Sequence, residues 1–319
     1  MRAVHVPEAN QPAVLADLPA PDVSNDTVLV RVRAAGLNAI DNVIAAGGMA
    51  EMVPHEYPLT LGRDAAGVVE AVGTAVDHVG VGDRVVGHML MSAPLRQGTL
   101  ADLALLPAAA VVRLPDEVDF TTAAALPLAG AAAHAVVEAV KPLPGQVVLV
   151  NGATGGVGGF VVQLLASCGA TVIATGTPAD ADRLRAQGAA EVVDYTAGPI
   201  ATQVGELHPG GVDALVELVA QTPQQSPLEA VRESGTVITS TGQPDADTLN
   251  AWPERHDRPG NPGGGRDRGA GQCRRGRRPH CRCAHYPSAR GGPPRAGHHR
   301  RRSGPRQDRR HHIRLTVNI

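Results

Sequence analysis

The chain has 319 residues, 43% hydrophobic but only 2% aromatic, with a formal net charge of -2. That length suits two domains with cores of Ala, Val and Leu. The start, Met1-Arg2-Ala3-Val4-His5-Val6-Pro7, reads as a strand and not a secretory leader, and no apolar run is long enough to span a bilayer, so a cytoplasmic protein is expected.

The charge is unevenly spread. Residues 1–251 carry eleven cations and 27 acids, a net -16, whereas residues 252–319 carry 18 Arg and four acids, a net +14. Cys168 lies in the first part, and Cys273, Cys281 and Cys283 lie in the second.

Residues 1–122 are expected to be β-rich. Val28-Leu29-Val30-Arg31-Val32-Arg33 alternates as a half-buried strand does. Gly36-Leu37-Asn38-Ala39-Ile40-Asp41 is a loop entering a short helix, and Leu61–Gly73 and Gly80–Gly87 supply further strands with glycine turns. Short strands at close intervals suggest a small barrel.

From residue 123 to 251 the texture becomes α/β. A helix over Ala131–Val140 is followed by strands at Val147–Val150, Thr171–Ala174, Glu191–Asp194, Asp213–Leu218 and Thr236–Ser240. Helices are expected at Gly156–Cys168, Ala179–Gln187 and Pro227–Glu233. Apolar strands alternating with helices imply a parallel sheet covered on both faces, a doubly wound Rossmann arrangement. Between the first strand and its helix lies Gly152-x-x-Gly155-x-x-Gly158, a variant of the dinucleotide fingerprint. Glycines there let the backbone N–H groups of Gly155, Gly156 and Val157 approach a pyrophosphate, which the positive end of the following helix also favours. The second strand ends in Thr175-Gly176-Thr177 with no acid for a ribose 2′-hydroxyl, which favours NADPH over NADH. Arg183 is the nearby cation for a 2′-phosphate; a solvated helix face is its alternative role.

Three motifs together resemble the medium-chain dehydrogenase/reductase superfamily, in its zinc-free quinone oxidoreductase (zeta-crystallin-like) branch. They are Gly36-Leu37-Asn38-x-x-Asp41; Gly62-x-Asp64-x-x-Gly67-x-Val69-x-x-Val72-Gly73 followed by Gly82-Asp83-x-Val85; and Gly145-Gln146 leading to Ala153-Thr154-Gly155-Gly156-Val157-Gly158 with Gln163. The resemblance covers residues 1 to about 250. It implies a GroES-like barrel for residues 1–122 and a Rossmann NAD(P)-binding domain for residues 123–251. It also implies hydride transfer from NADPH to quinones or α,β-unsaturated carbonyls, and a homodimer built on the late Rossmann strands. On the same basis Asn38 and Asp41 line the catalytic cleft, with loop capping as their alternative role, and Tyr195 lies against the adenosine. Zinc-dependent relatives have a Cys in the early loop and a Gly-His-Glu motif, where this chain has Asn38, Asp41 and Gly62-Arg63-Asp64, so no zinc is expected.

From Trp252 onward apolar periodicity is lost and Arg, Gly, Pro and His dominate. Cys281-x-Cys283 with His280 and His285 lacks the C-x₂-C spacing of a zinc site. One permitted choice of codons for Arg306–Ile313, read one base later, spells Gly-Lys-Ile-Val-Val-Thr-Ile, a closing strand of the family type. A frameshift near residue 251 is therefore expected, with residues 252–319 a disordered tail. The rival readings are a catalytically inactive cofactor-binding remnant, and a nucleic-acid binder acting through the basic tail.

Overall fold

The computed structural model describes residues 1–240 and the backbone of His280–Cys281. It divides into two units, Met1–Ala131 and Ala132–Ile319.

The first unit is built from β1 (Arg2–Val6), β2 (Val14–Asp17), β3 (Thr27–Gly36), α1 (Ala39–Ala45), β4 (Leu59–Thr60), β5 (Asp64–Val72), β6 (Arg84–His88), β7 (Leu103–Pro107), β8 (Val111–Arg113) and α2 (Phe120–Ala124). Two antiparallel sheets form, with orders β2-β1-β4 and β7-β3-β5-β6-β8. Apolar residues of the larger sheet, among them Val28, Val30, Val69, Val85, Ala104 and Leu106, make one core. Val6, Ile44, Leu59, Leu61 and Leu95 make another under the smaller sheet and α1. In the β5–β6 pair Asp64 lies opposite His88.

Helix α3 (Pro127–Val140) starts before the residue at which the units divide. The second unit then alternates: β9 (Val147–Asn151), α4 (Gly156–Ser167), β10 (Thr171–Gly176), α5 (Ala181–Ala186), β11 (Glu191–Asp194), α6 (Ile200–Leu207), β12 (Val212–Glu217), β13 (Val231–Thr239) and β14 (His280–Cys281). All strand pairs in this sheet are parallel, in the order β11-β10-β9-β12-β13-β14. Val148, Val150, Val172, Ala174 and Val216 face α3 and α4, while their neighbours Leu149, Ile173 and Leu215 join Val204 of α6 on the other face. Burial on both faces explains why these strands are apolar throughout.

The helix expected over Pro227–Glu233 is absent. Only a single 3-10 turn, Leu228–Ala230, forms before β13 begins at Val231. Val231 pairs with Val212 and Thr236 with Ala214, so the intervening residues bulge, with Ser234 at φ 64° and Arg232 held to Asp213 at 2.7 Å. Pairing with β12 outweighs the local helix preference of Leu-Glu-Ala. Helix α6, with Val204 as its buried anchor, was not expected from the sequence. Expectations for residues 252–319 lie outside the described residues, except that the backbone of His280–Cys281 pairs with Thr236–Val237.

Candidate active site

The glycine turn sits at the carboxyl end of β9, between neighbours β10 and β12, where the strand order reverses direction. Gly152 has φ 90°, and a Cβ there would meet Val219 Cγ2 at 2.5 Å. A Cβ on Gly158 would lie 2.1 Å from the Gly152 carbonyl oxygen, so helix α4 can pack on the turn only without a side chain. Gly155 is the N-cap, with extended backbone, and is exposed; a Cβ there would make only one ordinary contact, 3.5 Å to the Gly152 oxygen. Gly156 is also exposed. The first N–H groups of α4 have no carbonyl one turn earlier to bind. The Gly155 N–H is already bound to the Gly152 oxygen at 3.2 Å, so the donors left at this bare helix N-terminus are those of Gly156 and Val157, which fit a pyrophosphate.

A chain of buried polar groups holds this turn. The Thr175 hydroxyl accepts the Gly152 N–H at 3.0 Å and donates to Asn151 Oδ1 at 3.2 Å. Asn151 Nδ2 donates to Glu217, whose carboxylate also accepts the Val219 and Ala220 N–H groups and the Ser226 hydroxyl. Thr175 and Glu217 are buried at the ends of β10 and β12. Thr175 therefore acts inside the scaffold rather than as an exposed cofactor contact. Thr177, just beyond β10, donates its hydroxyl and N–H to Asp180, which also accepts from Arg183 at 3.0 Å. The Thr177 hydroxyl, then its N–H, then Arg183 push the Asp180 carboxyl down to about 2. Arg183 remains exposed, as does Tyr195 immediately after β11.

In the first unit, Asn38 caps α1, but its side-chain amide donates to Asp64 at 2.9 Å. Asp41 accepts the Asn38 N–H at 2.8 Å with one carboxylate oxygen, and its other oxygen is buried without a hydrogen-bond partner. Burial pushes the Asp41 carboxyl up, opposed by the Asn38 N–H and the Arg63 charge. Asp64, 1% exposed, gathers three donors: Asn38 Nδ2, His88 Nδ1 at 2.7 Å and the Leu128 N–H at 3.2 Å. Arg63 is likewise 1% exposed. It donates to the Gln97 oxygen at 2.8 Å and to the carbonyls of Gly62, Met89 and Leu90, and burial lowers its pKa to about 10.

At the motif position Arg63 brings a cation and Asp64 is engaged by three donors, and among the described residues no cluster of three His, Cys, Asp or Glu has metal-binding geometry. Sequence reading singled out Asn38 and Asp41, met Arg63 only as a departure from the zinc motif, and missed His88 and Glu217. A β5–β6 hairpin read from the glycine turn at Gly80–Gly82 would have placed His88 near Asp64, and Glu217 stands out as an acid in an apolar strand.

A parallel sheet in this order, with a glycine turn at its switch point, in a chain that also carries a unit of antiparallel sheets, defines the class: a dinucleotide-binding fold. Residues 24–116 match the alcohol dehydrogenase GroES-like domain, and residues 156–251 match the zinc-binding dehydrogenase domain. The quinone oxidoreductase of Lama guanicoe is 32% identical over 247 residues, 75% of this chain and 72% of that protein. The 2-methylene-furan-3-one reductase of Solanum lycopersicum is 33% identical over 70% of this chain, which spans only 56% of that protein. A mycobacterial structure described as complexed with NADPH superposes with TM-score 0.67 at 31% identity, over 79% of each chain. The chain belongs to the medium-chain dehydrogenase/reductase superfamily, in its quinone oxidoreductase-like branch.

Proposed function

We propose that the chain reduces quinones or α,β-unsaturated carbonyls with NADPH, without zinc. The observation that carries this reading is the glycine turn at the carboxyl end of β9, with the N–H groups of Gly156 and Val157 at the start of α4 and the buried Thr175–Asn151–Glu217 chain beneath it. Gly152, Gly155, Gly156, Val157 and Gly158 hold the pyrophosphate; Thr177 and Arg183 stand at the ribose end of β10; Tyr195 lies beside the adenosine. The absence of an acid in Thr175-Gly176-Thr177 and the exposed Arg183 support the 2′-phosphorylated cofactor. When bound, the reduced nicotinamide supplies a hydrogen with its electron pair to the acceptor.

The protein's part is orientation and water exclusion. Asn38 uses one amide hydrogen on Asp64, which fixes its amide plane and leaves the second hydrogen to hold the acceptor oxygen. The test is NADPH oxidation at 340 nm with 1,4-naphthoquinone and methyl vinyl ketone. Turnover with NADPH exceeding that with NADH supports the reading, and its absence with every acceptor rejects it.

A further inference from the structure

We propose that Asp180 is a specificity-determining residue that opposes Arg183: by holding the guanidinium to itself, it makes the choice of NADPH over NADH weaker than Arg183 alone would make it. The inference rests on the NADPH reading above and deepens it, and it involves the second unit only. β10 ends beside the glycine turn, because Ala174 pairs with Val150 and the Thr175 hydroxyl accepts the Gly152 N–H. A Cβ on Gly176 would lie 3.2 Å from Asp180 Cβ and 3.4 Å from Thr154 Cγ2. Asp180 and the turn therefore flank one strand end, the place where a dinucleotide seated on the turn presents its adenosine ribose.

Both oxygens of the Asp180 carboxylate are committed. One accepts the Thr177 hydroxyl at 2.7 Å and the Thr177 N–H at 3.1 Å; the other accepts Arg183 at 3.0 Å. The Thr177 bonds form a capping box, so the carboxylate is fixed and does not follow Arg183 if the guanidinium moves. Those same donors hold its carboxyl down at about 2, which keeps it ionised. The Arg183 side chain is 46% exposed, and Asp180 is its one bonded partner among the described residues. A 2′-phosphate drawn to this guanidinium thus meets a fixed negative charge on the same group, and attraction and repulsion offset each other. A 2′-hydroxyl carries no charge and responds to neither. Asp194, opposite Gly176 on β11, is bonded to Thr196 and contributes equally whatever stands at residue 180.

The experiment is calorimetric titration of the full chain with NADPH and with NADH, which differ only in the 2′-phosphate. Asp180→Asn keeps the volume and an oxygen for Thr177 but removes the charge. It should tighten NADPH about fivefold and leave NADH within about twofold. The gain should shrink in about 0.5 M NaCl, because it is a charge effect. Adding Arg183→Gln to the Asn variant should erase it. Unchanged NADH binding in each variant shows that the fold is intact. An Asn variant with the wild-type ratio of NADPH to NADH affinity overturns the role of Asp180 and spares the NADPH reading. A gain that survives the loss of Arg183 does the same. A wild type that binds NADH more tightly rejects the NADPH reading, while a shift of the ratio toward NADPH in the Asn variant still upholds Asp180. A wild type that binds neither cofactor overturns both.

Discussion

Arg63 shows what a single residue does at the centre of the first unit. In zinc-dependent relatives this motif position supplies a metal ligand; here a guanidinium draws the carbonyls of Gly62, Met89, Leu90 and Gln97 together. Replacing it by Met leaves those acceptors without their charged donor. Arg63→Met should cost about 3 kcal/mol of stability, read as a lower urea midpoint at unchanged slope. Asp41 carries a pH signature. Burial raises its folded carboxyl above the unfolded value, so the folded state binds the extra proton. Stability from this group is greatest below the unfolded pKa and falls as pH rises through the folded one. Asp41→Asn should therefore unfold at a higher temperature than wild type at pH 7, with the difference vanishing at pH 3, while losing turnover. Asn38 and Asp41 were legible because the Gly-Leu-Asn-x-x-Asp turn carries them. Arg63's partners Met89, Leu90 and Gln97 were not, because they come from later segments that converge on it only when the chain folds.

At the scale of elements, the β9–α4 turn separates two uses of glycine. Gly158→Ala puts a Cβ against the Gly152 oxygen and should destabilise the second unit, with no NADPH binding. Gly155→Ala meets no such clash and should keep the wild-type melting temperature but bind NADPH more weakly, because a methyl at the N-cap narrows the approach of a pyrophosphate to the start of α4. Differential scanning fluorimetry with and without NADPH separates the two. Glu217 links β9, β12 and the loop that crosses the turn. Glu217→Gln retains volume but loses acceptors, and should raise the KM for NADPH about tenfold, the equivalent of about 1.4 kcal/mol, with a smaller change in kcat. The strands themselves were readable from their apolar runs. The segment at Pro227–Glu233 was not, since Leu228, Glu229 and Ala230 favour a helix in isolation and only pairing with Val212 makes Val231 a strand.

For the whole molecule, the family match ends at residue 251, where the charge reverses from net acidic to net basic. If the reading frame changes there, sequencing the gene across codons 245–319 should show, one base later, an apolar helix followed by a closing strand. Codons with no such reading would leave the tail as written. The strand order of the second unit was legible only as a class, because apolar runs announce a parallel sheet but not which strands are neighbours. Carboxyl-end placement of the glycine turn then followed from the fold.

The cores made of Ala, Val and Leu have an optical consequence. The sole Trp is residue 252, and residues 1–251 hold only Tyr57 and Tyr195 as phenols. Ultraviolet emission from that part is therefore faint, and one of its two emitters is the exposed Tyr195 beside β11. With Tyr57, Trp252 and Tyr286 each replaced by Phe, quenching of tyrosine emission on adding NADPH becomes a label-free gauge of how near the adenine end comes to residue 195.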